Sequence, residues 1–285
     1  MSARAPIAPA EVSLTVADVP RSIDYYENAI GLAVNSRDNG VARLGVPGRD
    51  LLVLEEQPGA RPGRGTNTGL YHFAILVPER HYLGAWLAHA AASQVHLTGA
   101  SDHFVSEALY LRDPDGHGIE IYSDRPRETW TKLPDGSLNI GTVPLDLHDL
   151  MQANASGEPL ERMPEGTVMG HVHLQVAHLQ EARKFYTDVL GLDLMVEIPG
   201  QASFLSTGGY HHHLGMNVWA GVGAPPAPPD QARLVRAALE VDGEDALDAI
   251  ESRLADAGAE PVRDDGRVLV DDPSRNPLDL RVARG

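Results

Sequence analysis

Apolar and polar residues alternate over short stretches, and the alternation recurs along the chain. Val12, Leu14 and Val16 form one run, and Val172, Leu174 and Val176 another. A period of two places alternate side chains on one face of a strand. Each run leads through a turn into an amphipathic helical stretch that closes on Gly-Leu, at Gly31-Leu32 and Gly191-Leu192. Glycine just past the last periodic residue is a usual helix stop. Two further runs, His72-Phe-Ala-Ile-Leu-Val77 and Arg236-Ala-Ala-Leu-Glu-Val241, precede helical stretches at 79–92 and 244–257. These close with a turn and a strand, DPDGHGIEIY at 113–122 and DDPSRNPLDL at 271–280. Gly and Pro in such turns fit tight hairpins.

The runs are copies of one another. Shifted by 160 residues, 11–32 falls on 171–192. Seven of the 22 positions are then identical: Val12/Val172, Leu14/Leu174, Val16/Val176, Ala17/Ala177, Tyr26/Tyr186, Gly31/Gly191 and Leu32/Leu192. Self-similarity at a fixed spacing marks repeated structural units. Four units follow, each a strand, a helix and further strands, at 11–57, 70–123, 170–220 and 233–282. The expected organisation is an N-terminal pair of modules over 1–124, a linker over 125–166 and a C-terminal pair over 167–285. The linker holds five prolines and one short helix near 145–153. A second Pro-rich stretch, GAPPAPPD at 223–230, joins units three and four.

Composition narrows the chemistry. The chain has 285 residues, 42% of them apolar, enough for a sizeable core. It has no cysteine, which excludes disulfides, thiolate metal sites, iron–sulfur clusters and thiol nucleophiles. Any metal must be held by histidine and carboxylate. The formal charge is −17, and Lys and Arg form no run, which argues against nucleic-acid binding. No apolar stretch approaches the roughly 20 residues needed to span a bilayer. The start, MSARAPIAPAE, lacks the apolar centre of a signal peptide. A cytoplasmic protein is expected.

Strand parity places metal-capable side chains on the faces opposite the apolar ones. Val172, Leu174 and Val176 take the packing face, so His171, His173 and Gln175 face a cavity. Phe73, Ile75 and Val77 leave His72 on that side, and Ile119 and Ile121 leave Glu120. Two imidazoles and one carboxylate with open positions suit a non-haem Fe(II) oxygenase. His173 shares a face with His171 and rivals it as a ligand.

In this order, the segments GLYHFAILVPER, SEALYLRDPDGHGIEIYSDRPR, GHVHLQVA and STGGYHHHLGMNVWAG resemble those of the vicinal-oxygen-chelate superfamily of glyoxalases, bleomycin-resistance proteins and extradiol dioxygenases. Within it they are most similar to the two-domain bacterial catechol 2,3-dioxygenases. The resemblance covers nearly the whole chain. It implies an α+β fold of four βαβββ modules forming half-barrel cavities. It implies ligands from the first strand of two units and the closing strand of one, which here are His171, His72 and Glu120. The corresponding positions of the other two units are Glu11, Arg236 and Asp279. Arg236 cannot ligate, because guanidinium stays protonated. Unit two must therefore meet unit three, within a chain or across a dimer of a homo-oligomer, whereas better-known extradiol enzymes pair units three and four.

The resemblance also implies an acid–base histidine, carried to His212 with His213 as close rival, the two facing opposite ways in a strand. It implies an active-site tyrosine ten residues before the carboxylate ligand, which is Tyr110, and a supporting histidine, His103. The segment 113–116 is expected to form a turn without chemistry, and 124–127 a solvated strand exit. His81, His89, His96, His117, His148 and His178 are expected at the surface. The implied activity is Fe(II)-dependent extradiol cleavage of an aromatic diol by O2, with Mn(II) as the other fitting metal. The alternatives are a glyoxalase-type isomerase and a non-enzymatic protein that binds an aromatic compound.

Overall fold

The structure, a computed structural model, describes residues 6–283. Residues 1–5, the start of the segment read against a signal peptide, lie outside the described residues. The strands form two mixed, curled sheets. In the first the order is Val262–Asp264, Arg267–Asp271, Pro277–Val282, Leu234–Val241, Ile7–Val16, Arg49–Glu56, Val41–Val46 and Ala33–Asp38. In the second it is Asp193–Ile198, Ala202–Ser206, Leu214–Asn217, Val168–Gln175, Gly69–Leu76, Gly118–Asp124, Ser106–Arg112, Gly99–Asp102 and Val143–Pro144. Units one and four build the first sheet, and units two and three the second, with the linker strand Val143–Pro144 at its edge. The join in each is an antiparallel pairing of first strands, Ile7–Val16 with Leu234–Val241 and Val168–Gln175 with Gly69–Leu76. The pairing that the ligand set demands thus occurs inside one chain, and no partner copy is needed to complete it.

The apolar faces assigned by alternation form the core. Val172, Leu174, Val176, Phe73, Ile75, Val77, Ile119 and Ile121 are all buried in it. Helices Arg80–Ala92, Leu147–Ala153 and Glu244–Asp256 lie close to the expected ranges. In units one and three the helices Val19–Tyr25 and Leu179–Lys184 pass into wider π turns, Tyr26–Ile30 and Phe185–Leu190, which a 3.6-residue period does not foretell. Gly31 and Gly191 end them with φ of 90° and 96°, the left-handed conformation that glycine adopts without a Cβ clash.

The repeated tyrosines of these π turns tie the two sheets together. Tyr26 donates to Asp113 and Tyr186 to Asp272, both at 2.9 Å. Burial raises the Asp272 carboxyl above its usual range, although its hydrogen bonds to Asn276, Tyr186 and Ser274 act the other way. The 113–116 turn is thus a structural clamp. Two surface readings need correction. His117 is buried, its Nε2 donating to the Thr15 carbonyl at 2.9 Å across the sheet boundary. The 124–127 segment is not simply solvated, because Arg125 reaches both Asp102 (2.8 Å) and Glu107 (2.9 Å). Their carboxylates draw it back against the sheet.

Candidate metal centre

Three side chains converge on the concave face of the second sheet. His171 comes from the first strand of unit three, His72 from the first strand of unit two and Glu120 from its closing strand. His72 Nε2 lies 3.3 Å from His171 Nε2, and each lies 3.1 Å from Glu120 Oε2. All three are buried. Among the described residues this is the cluster of three such groups able to hold an ion. Three ligand atoms bound at about 2.1 Å and at right angles lie about 3.0 Å from one another. The observed spacing fits one face of such an octahedron, and its nitrogen–oxygen set suits Fe(II) or Mn(II). His171 Nδ1 has no partner within the protein, so nothing on that side forces its proton onto Nε2.

Electrostatics favour the ligand forms. Burial alone would raise Glu120, but the adjoining His171 and His72, through their hydrogen bonds to the carboxylate, hold it well below the ordinary carboxylate range. Burial lowers His171 to about 4, against the opposing pull of Glu120, so its imidazole is neutral at neutral pH. Proton competition for the Glu120 and His171 donor atoms is weak there.

His173, the rival ligand, is directed elsewhere. It sits in the same cavity wall, but its Nε2 is held by the Asn217 amide at 3.0 Å. Burial pushes its pKa well down. A Cβ at Gly215 would lie 2.8 Å from the His173 ring, so the glycine makes room for that ring and supplies no ligand.

A cavity of about 530 Å³ opens over the His72, Glu120 and His171 side chains. Tyr71, Phe204, Trp219, Val196 and Ile198 give it an aromatic and aliphatic wall. Such a volume and apolar lining suit a small organic molecule. Tyr110, His103 and His212 also line it. His103 Nδ1 donates to the Gly141 carbonyl at 2.7 Å, which leaves its Nε2 bare to accept the Tyr110 hydroxyl proton, also at 2.7 Å. Burial, with Glu120 nearby, raises the Tyr110 pKa well above 10, so the hydroxyl stays protonated.

The histidine run behaves differently from a strand. Residues 211–213 form a bend before the Leu214–Asn217 strand, so alternation does not sort them. The His212 ring lies against that of His171, with centroids 4.1 Å apart and planes tilted by 45°, and its buried Nε2 has no partner. His211 turns toward His212, its Nδ1 2.7 Å from His212 Nδ1. His213 lines a separate cavity beside Glu11 and Arg281, with its Nδ1 on the Ser206 hydroxyl.

A polar network behind the metal corner was missed in the sequence. Tyr122 and Asp124 follow Glu120 at steps of two, which puts all three on one strand face, and that spacing was the available signal. Tyr122 meets Tyr210 hydroxyl to hydroxyl at 2.8 Å, and Tyr210 donates to Asp124 at 3.2 Å. A Cβ at Gly170 would lie 1.9 Å from the Tyr122 hydroxyl oxygen, so only glycine leaves room for it.

Comparison with known proteins agrees with this arrangement. The family model of the glyoxalase/bleomycin resistance protein/dioxygenase superfamily matches residues 8–121 and 168–278. The chain belongs to that superfamily. It is 42% identical over 264 residues to a catechol-2,3-dioxygenase of Bacillus subtilis (strain 168), across 91% of this chain and 92% of the relative. The resemblance read from the sequence is borne out. Among solved structures, a Bacillus subtilis subsp. subtilis str. 168 protein with a provisional dioxygenase assignment superposes with a TM-score of 0.66. It is 14% identical, with 99% of this chain and 87% of that one covered. Glyoxalase I from Zea mays superposes with a TM-score of 0.60 at 17% identity, over 98% and 93% of the two chains. At such identities these two likenesses establish the fold alone, as the expected half-barrel architecture of this superfamily.

Proposed function

We propose that this superfamily member is an Fe(II)-dependent extradiol dioxygenase that cleaves the ring of catechol or a related aromatic diol. The observation that carries this reading is the convergence of His72, Glu120 and His171 donor atoms within 3.3 Å at the floor of an apolar cavity. The 42% identity to a catechol-2,3-dioxygenase supports the choice of reaction. His72, Glu120 and His171 would hold Fe(II), or Mn(II) in its place, which would supply the Lewis-acid and redox chemistry of diol oxygenation.

The chain's own groups handle protons and position. His212 Nε2, buried and without a protein partner, offers a lone pair to a diol O–H and takes its proton. Burial keeps His212 well below the usual histidine range, so it enters neutral, as a base must. The Tyr110 hydroxyl, 2.7 Å from His103 Nε2, lines the cavity, where it can share a hydrogen bond with a substrate oxygen. Tyr71, Phe204 and Trp219 pack on an aromatic ring and exclude water. A glyoxalase-type isomerase would call for a fourth protein ligand, whereas the cluster found among the described residues holds three, His72, Glu120 and His171. The cysteine-free, acidic composition fits a cytoplasmic location.

The test is anaerobic purification, metal analysis, then catechol in air. About one Fe or Mn per chain and a yellow ring-opened product are expected. Metal-free protein that gains no activity on Fe(II) addition, or a colourless reaction with oxygen unconsumed, would overturn the reading.

A further inference from the structure

Asp124, His211 and His212 form a chain of hydrogen bonds whose direction is set at one end. His211 Nε2 lies 2.9 Å from Asp124 Oδ1, and a carboxylate only accepts, so this nitrogen carries a proton. In neutral His211 the other nitrogen, Nδ1, is then bare. It lies 2.7 Å from His212 Nδ1, which must be the donor. The remaining nitrogen of His212, Nε2, is left without a proton and without a protein partner, in a ring that lines the cavity. The ring that transmits this order has no freedom to turn. His211 is fully buried between Tyr210, 4.1 Å away, and Trp130, 5.4 Å away, centroid to centroid. Asp124 is held in turn by the Tyr210 hydroxyl.

We propose that Asp124 and His211 are positioning residues that hold His212 as its Nδ1–H tautomer, so that a bare Nε2 faces the substrate. Left to itself a neutral imidazole favours the Nε2–H form, which presents a proton where the reaction needs a lone pair. The hydrogen bond at one ring nitrogen decides the state of the other. The catalytic consequence rests on the reading of His212 as proton acceptor, whereas the tautomer itself does not.

Nitrogen-15 NMR of labelled histidines in the metal-free protein at neutral pH tests this without turnover. His212 is expected with Nδ1 protonated and Nε2 bare, and His211 with the opposite assignment. In His211→Leu the acceptor is gone, and His212 should revert to the Nε2–H form. In His211→Asn the amide oxygen can accept the Nδ1 proton and should restore the wild-type tautomer. In the metal-loaded protein, His211→Leu should lower kcat about 10²-fold with KM and metal content unchanged, and His211→Asn should recover most of it. A merely structural role would move KM or metal content and would show no rescue. A wild-type spectrum with His212 protonated at Nε2, or with both nitrogens of His211 protonated, overturns the proposal whatever the variants do. Absence of ring cleavage in a wild-type protein that shows the stated tautomers would count against the dioxygenase reading and leave this inference standing.

Discussion

The two curled sheets are built from the same module used twice, yet their equivalent positions carry opposite chemistry. In the second sheet the three positions hold His171, His72 and Glu120, and their donor atoms converge. In the first sheet they hold Glu11, Arg236 and Asp279. There Arg281 bonds Glu11 at 3.1 Å, Arg43 approaches it at 3.7 Å, and Arg267 lies 3.5 Å from Asp279. A permanently charged guanidinium neutralises each of these carboxylates, so no cation is required. All thirteen histidines lie between 72 and 213, outside units one and four. The scaffold therefore tolerates either solution, and the side chains alone decide which sheet can bind a metal.

The largest effects should separate the two sheets cleanly. His72→Ala, His171→Ala and Glu120→Ala should each lose bound metal and all measurable ring cleavage. Glu11→Ala and Asp279→Ala should keep the metal stoichiometry of the wild type. Metal analysis after desalting checks this, and a Glu11→Ala protein that lost its metal would erase the distinction.

Next comes the contrast between His212 and His213, which line different cavities. His212→Gln should retain metal and bind catechol, with kcat lower by about 10²–10⁴-fold. His213→Ala should change kcat by less than about threefold, because it adjoins only the site-less sheet's cavity; the comparison between a lost and an intact proton acceptor sets that limit. Tyr110→Phe should fall between them, at roughly tenfold, since one hydrogen bond to the substrate is removed. Steady-state kinetics on metal-matched samples would decide. A His213→Ala protein as impaired as His212→Gln would show that the two cavities are not functionally separate.

Acid should affect the sheets unequally. Burial lowers His171 and His213 to about 4, so in the folded metal-free protein they bind protons only near that value. In the unfolded chain a histidine does so near pH 6.5. Between the two values the unfolded state holds more protons, so stability is greatest above about pH 6.5 and falls as the pH drops toward 4. Urea unfolding of metal-free protein at intervals across this range, read with hydrogen exchange, should show the histidine-bearing sheet losing protection first. Equal loss in both sheets, or a flat profile, would contradict the assignment of buried neutral histidines.

The smallest effect should come from the ion pairs. Glu11→Ala leaves the largely buried Arg281 without its nearest carboxylate and should destabilise the fold by about 1–3 kcal/mol. The urea midpoint reports it, and an unchanged midpoint would mean that Glu240, 3.7 Å from Arg281, is enough.

Much of this architecture was legible in the chain. Alternation of apolar residues marked the packing faces around His171, His72 and Glu120, because burial on one face of a strand forces a period of two. Repetition at a fixed shift exposed the modules, and the lone full set of ligands required unit two to meet unit three. Parity failed where the backbone leaves the strand. His211, His212 and His213 lie in a bend, so their directions follow from neighbours distant in sequence: Asp124, His171 and Ser206. Burial of His117 and the clamp at Asp113 were hidden for a related reason, since both groups are satisfied across the boundary between sheets. By itself the sequence determined which residues could ligate a metal and which faces they occupy, because those follow from side-chain chemistry and local periodicity. Only the tertiary structure decided that three of them meet within 3.3 Å, and which nitrogen of His212 is left without a partner. Such distances and hydrogen-bond directions depend on how separate strands and loops pack, and no local pattern encodes that.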